Sequence, residues 1–155
     1  MFTRGFMLDT SAINRICDWQ ACEWSLRGPL YVTDIQFQEI LATRKHARRD
    51  ALIGAFMSLR PTVLRPSGQI IDPEFFGFSS FHDTSFLLPQ GDYQPMSVGR
   101  LMPHIAAAIG SKFEKHYRDA LIAETARTED LTLVTADKKL AQVGREFGIR
   151  IEEIP

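Results

Sequence analysis

Four acidic residues, far apart along the chain, are the side chains best suited to chemistry: Asp9, Glu39, Asp119 and Asp137. Asp9, Asp119 and Asp137 each stand where an apolar segment gives way to a helical pattern, and Glu39 lies within such a pattern. Carboxylates around one cleft repel each other unless a cation shares the site. Oxygen ligands of this kind suit Mg²⁺ or Mn²⁺, and such a site can activate water against a phosphodiester bond.

Short apolar segments alternate with helical patterns over most of the sequence. Strands are predicted at 6–8, 30–32, 62–64, 131–135 and 149–151. Helices are predicted at about 10–24, at 34–59 with a break near residue 46, at 117–127 and at 138–147. This alternation predicts an α/β fold with a mostly parallel central sheet. Because sites in such sheets lie beyond the carboxyl ends of the strands, Asp9 and Asp137 are expected to meet there.

Residues 66–103 have a different composition from the rest of the chain. They include five prolines, four glycines and five phenylalanines. The prolines and glycines argue against long regular elements, and the phenylalanines argue against disorder. We predict an ordered, irregular insertion that packs on the domain or on a partner.

The bulk composition is that of a soluble globular protein. The chain has 155 residues, of which 45% are hydrophobic and 24% charged, and this predicts a single domain over 1–155. No apolar stretch is long enough for a membrane span. Cys17 and Cys22 are expected to be free thiols, which fits a reducing cytoplasm. The net charge of −1 gives no overall attraction to nucleic acid, so any such attraction must be local.

Each acidic residue also has a simpler interpretation. Asp9 and Asp137 are natural helix N-caps, although the hydroxyl residues that follow Asp9 could cap that helix instead. Asp119 could interact with a helix dipole or cap the first turn of its helix. Glu39, taken alone, could be an exposed glutamate. The order of the four residues and their placement at strand ends favour a shared site.

Four segments together resemble a known family: Met7-Leu8-Asp9-Thr10-Ser11, Tyr31-Val32-Thr33 leading to Glu39-Ile40, Arg118-Asp119-Ala120-Leu121-Ile122-Ala123, and Leu133-Val134-Thr135-Ala136-Asp137. They are similar to PIN domains, and within that superfamily to the VapC-type toxins of type II toxin–antitoxin systems. The resemblance covers roughly 1–64 and 106–155. It implies a three-layer PIN-like fold and an endoribonuclease that uses Mg²⁺ or Mn²⁺. It also implies a homodimer silenced by a cognate antitoxin.

The resemblance assigns roles to the acidic residues. Asp9, Asp119 and Asp137 would be catalytic metal ligands, with Glu39 a direct or water-mediated ligand. Hydroxyls at Thr10 or Thr135 could orient a carboxylate, although capping and strand packing explain them equally well.

Two further interpretations stay open on sequence alone. The basic run at 44–49 could hold a phosphate of RNA, but a solvated helix face is the commoner meaning of such a run. A catalytically idle PIN-like module that binds RNA or protein is the alternative to the nuclease, and the four filled acidic positions favour the nuclease.

Overall fold

The computed structural model describes residues 4–19, 28–65, 102–110 and 113–155. The strands in these ranges are β1 (Phe6–Leu8), β2 (Leu30–Thr33), β3 (Thr62–Leu64), β4 (Thr132–Thr135) and β5 (Ile151–Glu153). The helices are α1 (Thr10–Asp18), α2 (Asp34–Leu41), α3 (His46–Leu59), α4 (Met102–Ile109), α5 (Phe113–Thr128) and α6 (Lys138–Glu146). No helix in the described ranges is long and apolar enough to cross a membrane.

The five strands form one sheet in the order β3-β2-β1-β4-β5, and all neighbouring pairs are parallel. β1 is central, with β2 and β3 on one side and β4 and β5 on the other. The strand order therefore reverses between β1 and β4, which is where a parallel sheet opens a crevice at its carboxyl edge. The register pairs Leu8 with Val134, so Asp9 and Thr135 leave the sheet at the same level.

Successive residues of the central strands pack on opposite faces of the sheet, as the alternation of side chains in a strand requires. Met7 and Leu133 belong to a core cluster with residues of α4, α5 and α6. Leu8 and Val134 belong to a second cluster with residues of α1, α2 and α3. Helices thus cover both faces of the sheet, which confirms the predicted three-layer α/β architecture.

Side chains at the strand ends begin three of the helices. Asp9 is the N-cap of α1 and Asp137 is the N-cap of α6. Thr33 caps α2 in a capping box with Gln36. The helix after Asp9 is thus capped by the aspartate itself and not by the hydroxyls that follow it. An aspartate at this position bonds the amide three residues on, which leaves those hydroxyls for other partners.

Several element boundaries differ from those predicted. α1 is described to Asp18, and residues 20–27 of the predicted helix lie outside the described residues. α4 was not predicted, because its alanine-rich segment borders the proline-rich stretch. β5 begins at Ile151, two residues later than predicted. Gly148, with φ of 73°, ends α6, and the chain needs the residues after it to reach the edge of the sheet.

The start of α5 changes the interpretation of Asp119. The helix begins at Phe113, so Asp119 lies six residues past its first residue and not in the first turn. A helix dipole acts on its first and last turns, and N-capping needs the residue at the boundary. The prediction that Asp119 stands at the start of a helix was wrong, and the capping interpretation is excluded with it.

The predicted insertion lies almost wholly outside the described residues. Of the stretch 66–103, only the backbone of its last two residues is described, as the start of α4. Cys22 is also outside the described ranges, whereas Cys17 is a free thiol, as expected.

Gln36 joins β2 and α2 to the end of the central strand. Its amide oxygen accepts a hydrogen bond from the backbone N–H of Thr33 at 2.9 Å. Its amide nitrogen donates to the carbonyl of Leu8 at 2.7 Å. The side chain is fully buried, so these groups have no access to water. Gln36 therefore fixes the backbone immediately before Asp9.

Replacing Gln36 tests this link. Gln36→Leu keeps the approximate volume but leaves the Leu8 carbonyl and the Thr33 N–H buried without these partners. The free energy of unfolding should fall by about 2–4 kcal/mol, measured by denaturant titration, since each unsatisfied buried group costs ~1–3 kcal/mol. Gln142→Leu, at an exposed position of α6, is the matched control and should change stability by less than about 0.5 kcal/mol. Equal stability of the two variants would contradict the role given to Gln36.

Candidate functional site

The carboxylate of Asp9 lies at the centre of the carboxyl edge of the sheet and is 2% exposed. Its Oδ1 accepts a hydrogen bond from the backbone N–H of Ala12 at 2.7 Å. Its Oδ2 accepts one from the hydroxyl of Thr135, at the end of β4, at 2.5 Å. The hydroxyl of Ser11 lies 2.8 Å from both carboxylate oxygens. The carboxylate is therefore held in one orientation by groups from α1 and from β4.

The two hydroxyls are themselves oriented by backbone amides. Ser11 Oγ accepts a hydrogen bond from the N–H of Ala136 at 2.9 Å, and Thr135 Oγ1 accepts one from the N–H of Asp137 at 3.0 Å. A hydroxyl has a single hydrogen, so accepting these bonds leaves that hydrogen for Asp9. The segment after β4 thus aims both hydroxyls at the carboxylate.

Burial opposes this stabilisation of the charged form. It raises the pKa of Asp9 to about 6, although the hydrogen bonds from Thr135, Ala12 and Ser11 act in the opposite direction. The negative charge of Asp137 is the smallest of these contributions and also raises the pKa of Asp9. The backbone N–H of Asp137 donates to the same Thr135 hydroxyl that bonds Asp9. The ends of β1 and β4 therefore lie side by side, as the strand pattern predicts, and a shared site for the two carboxylates stays a prediction.

Asp137 has a structural role as well. Its Oδ1 accepts both capping hydrogen bonds, from the N–H of Lys139 at 2.8 Å and from that of Leu140 at 3.1 Å. The N-cap interpretation of Asp137 is therefore correct. It does not exclude a role in the site, because one carboxylate oxygen makes both capping bonds.

Glu39 is half-buried and is not an exposed glutamate. The hydroxyl of Thr10, in the first turn of α1, donates a hydrogen bond to its Oε2. A guanidinium nitrogen of Arg118 lies 3.9 Å from its Oε1, with the two side chains 25% and 20% exposed. Glu39 is thus joined to the residue after Asp9 on one side and to the residue before Asp119 on the other.

Asp119 lies in the second turn of α5 and is half-buried. Ile122 and Ala123, three and four residues along the same helix face, are fully buried. α5 packs against β1 and β4. This face of α5 therefore turns toward the central strands, and with it the side chain of Asp119.

Asp9 caps α1, Glu39 bonds Thr10 in its first turn and Asp137 follows β4, whereas Asp119 is placed only by its position on α5. Within the described ranges, no three His, Cys, Asp or Glu side chains lie close enough together to hold a metal ion. The chemistry of the donors nevertheless fits a divalent cation. The side chains are oxygen donors only, as Mg²⁺ and Mn²⁺ prefer, and a cation would relieve the repulsion between Asp9 and Asp137.

Sequence reasoning missed two residues of this region. Ser11 was assigned only a possible capping role, yet it contacts both oxygens of Asp9. A serine two residues after a strand-end aspartate was the available signal. Arg118 was not singled out, and only its position next to Asp119 pointed to it. Thr10 and Thr135 do contact Glu39 and Asp9, as their suggested orienting roles require.

The basic run at 44–49 is partly used inside the fold. Arg48 forms an ion pair with Asp18 at 2.5 Å and donates to the side-chain oxygen of Asn14 at 2.9 Å. Its pKa is raised, chiefly by the hydrogen bond to Asp18. Arg49 lies 2.6 Å from His46. Arg48 therefore links α3 to α1. This structural role accounts for Arg48 in the basic run without any contact with RNA.

The PIN domain family model matches residues 83–146 of the chain. The resemblance to PIN domains is confirmed. The matched stretch contains Asp119 and Asp137, whereas Asp9 and Glu39 precede it. It also begins inside the proline-rich stretch, so the similarity to PIN domains reaches further than the four motifs indicate.

Solved structures share the PIN-like fold. VapBC-1 from nontypeable Haemophilus influenzae is 16% identical, with a TM-score of 0.52, over 96% of this chain and 97% of that chain. A domain of a functionally unknown protein from Methanocaldococcus jannaschii is 13% identical, with a TM-score of 0.51, over 98% of this chain and 91% of that chain. No curated protein matches the sequence. At these identities the likeness concerns the fold.

The raised pKa of Asp9 makes a prediction about stability without metal. Between about pH 4 and pH 6 the folded state holds a proton on Asp9 that the unfolded state releases, so stability falls as the pH rises. The loss amounts to at most about 3 kcal/mol and is complete above about pH 7. Asp9→Asn has no charge to bury. Its amide nitrogen can replace Oδ2 if Thr135 donates to Ser11, 3.2 Å away, while Ser11 still donates to Oδ1.

Asp9→Asn should therefore be more stable than the wild type in EDTA at about pH 8, and this gain should shrink toward about pH 4. Denaturant unfolding at several pH values measures the difference. Asp50→Asn, at an exposed position of α3, is the control for removing a surface carboxylate. A gain in stability that is the same at every pH would show that burial of the Asp9 charge is not its cause.

Proposed function

We propose that this chain is a metal-dependent endoribonuclease of the PIN kind and the toxin of a toxin–antitoxin pair. The observation that carries the proposal is the buried carboxylate of Asp9, held between β1 and β4 with Asp137 beside it. A buried carboxylate costs stability in its charged form unless a cation or a proton compensates it. A carboxylate with a raised pKa in the crevice of a parallel sheet is a candidate functional group.

The residues of the site divide into ligands and orienting groups. Asp9, Asp137, Glu39 and Asp119 would hold Mg²⁺ or Mn²⁺ at the carboxyl edge of the sheet. A cation bound there supplies positive charge to the phosphate and lowers the pKa of coordinated water.

Orientation of the ligands comes from the hydroxyls and from Arg118. Ser11 and Thr135 fix the plane of the Asp9 carboxylate, so its oxygens face one direction without rearrangement. Thr10 does the same for Glu39. Arg118 compensates part of the negative charge of Glu39, which limits repulsion of an approaching phosphate.

The toxin assignment comes from the nature of the similar proteins. VapBC-1 from Haemophilus influenzae shares the fold over nearly the full length of both chains. The resemblance of the four motifs to VapC-type toxins implies a cognate antitoxin. We therefore assign an RNA substrate, a cognate antitoxin and a homodimer to this chain. A catalytically idle PIN-like module is the competing function, and retained carboxylates without activity would support it.

Cleavage and metal binding test the nuclease directly. Purified protein should cut RNA with Mg²⁺ or Mn²⁺ and not with EDTA. Mn²⁺ should also raise its melting temperature, because a ligand at 100 times its Kd stabilises the folded state by ~2.7 kcal/mol. Asp119→Asn should lower the cleavage rate by more than about 100-fold, since even loss of an orienting group costs ~10–100-fold, and should remove the Mn²⁺ shift. Asp50→Asn should keep both. An Asp119→Asn protein with the full Mn²⁺ shift would require different ligands.

A growth assay tests the toxin. Expression of the wild-type chain in a bacterial host should arrest growth, because cleavage of cellular RNA stops protein synthesis. Asp9→Asn, which removes a proposed ligand, should allow growth at the same expression level, checked by immunoblot. Arrest by both chains would mean that toxicity does not come from this site.

A further inference from the structure

A cavity of about 500 Å³ adjoins the acidic site and has a different electrostatic character. Its lining residues are Arg15, Ala136, Lys138, Glu153, Ile154 and Pro155. Ligand pockets in proteins commonly have volumes of ~300–1,000 Å³, so this cavity can admit a phosphate with part of a nucleotide. We call it the α1–α6 cavity, after the helices that carry its two cationic residues.

We infer that the α1–α6 cavity binds a backbone phosphate of the RNA strand, next to the phosphate that is cleaved, through Arg15 and Lys138. This inference rests on the proposed function, because it extends the path of the substrate beyond the four carboxylates. Nothing in the family match or in the similar structures assigns a role to these two residues.

The position of the cavity carries the first step of the argument. Two of its lining residues, Ala136 and Lys138, flank Asp137 in the sequence. The N–H of Ala136 also donates to the hydroxyl of Ser11, which holds Asp9. The wall of the cavity is therefore the same segment that builds the acidic site, and a strand lying across that segment reaches both.

The spacing along α1 carries the second step. Ser11 and Arg15 are four residues apart and lie on the same face of the helix. Four residues correspond to a rise of about 6 Å. Arg15 thus stands about one helical turn from the hydroxyl that orients Asp9, on the side of the cavity. Adjacent phosphates of one RNA strand can occupy the acidic site and the α1–α6 cavity at such a separation.

The charge of the lining carries the third step. Arg15 and Lys138 are both exposed, so their charged groups are accessible to a ligand. Glu153 is the acidic side chain in the lining, and Arg145 binds it at 3.1 Å. This ion pair is solvent-exposed and offsets the charge of Glu153 only in part. The two cationic side chains of the lining still outnumber its one acidic side chain. A polyanion repelled by nearby carboxylates needs such a local cationic contact.

Helix electrostatics give Lys138 only a weak structural role. It is the first residue of α6, where the helix dipole disfavours a cation, and the N-cap carboxylate of Asp137 offsets this effect in part. A phosphate in the cavity would be a further favourable partner for the charge of Lys138. Arg15 lies in the last turn of α1, where a cation stabilises the helix dipole. The experiment below separates this structural role from a contact with phosphate.

The salt dependence of RNA binding tests the inference. Binding of a labelled single-stranded oligoribonucleotide is measured by fluorescence anisotropy in EDTA, with intact RNA verified on a gel. The logarithm of the association constant falls with the logarithm of salt concentration by about 0.7 for each phosphate contact. Arg15→Gln and Lys138→Gln should each reduce the slope by about 0.7, and the double variant by about 1.4.

Matched controls separate the cavity from surface charge in general. Lys139→Gln removes an exposed cation next to Lys138 that does not line the cavity, and it should leave the slope unchanged. Arg15→Lys keeps the charge and should keep the slope. Thermal unfolding in EDTA checks that all variants are folded.

The possible results are distinct. Reduced slopes for Arg15→Gln and Lys138→Gln, with Lys139→Gln unchanged, support the phosphate site. Unchanged slopes for either lining variant, or equal reductions for all three, overturn it. If a polyglutamate peptide shows the dependence on both residues and RNA does not, the cavity binds an acidic protein segment and the inference is wrong. Since binding is measured without metal, a wild-type protein that fails to cleave RNA refutes the proposed function without deciding the slopes.

Discussion

The structure depends on placing a carboxylate in a buried position at the end of the central strand. Asp9 is almost inaccessible to solvent, and burial alone would drive it toward the neutral form. A backbone amide of α1 and two hydroxyls stabilise the charged carboxylate by donating hydrogen bonds to it. The orientation of both hydroxyls is fixed by backbone amides of the segment after β4. The ends of β1 and β4 are thus locked together through one side chain. The same hydrogen bonds orient the Asp9 carboxylate and join the ends of the two strands.

The strand-end aspartates have roles in both folding and the proposed chemistry. Asp9 and Asp137 begin helices, and each uses Oδ1 to bond the amides of its helix. Capping therefore fixes the direction of each side chain and leaves Oδ2 to other partners, which for Asp9 are the hydroxyls of Thr135 and Ser11. The helices that follow the two aspartates pack on opposite faces of the sheet. Both aspartates therefore lie at the carboxyl edge between β1 and β4, where the strand order reverses. Topology and helix capping together place the charge of Asp137 close enough to raise the pKa of Asp9.

The charge around the site is divided by position. Carboxylates occupy the centre of the crevice, and Arg118 lies beside Glu39. Further out, Arg15 and Lys138 line the α1–α6 cavity. A chain with a net charge of −1 offers no general attraction to a polyanion, so binding must depend on such local contacts. Under the proposed function, the centre would hold the cation and the periphery would hold the strand.

The sequence by itself determined the α/β class, most of the strands and the placement of Asp9 and Asp137 at strand ends, because apolar runs followed by capping residues are local patterns. It did not place the start of α5, since the helix extends into a segment without a clear boundary signal, and Asp119 was therefore misplaced in the first turn. Only the tertiary structure decided that Thr135 bonds Asp9 and that Arg118 reaches Glu39. These contacts join residues of different elements. No local pattern encodes them, because they depend on the order of strands in the sheet.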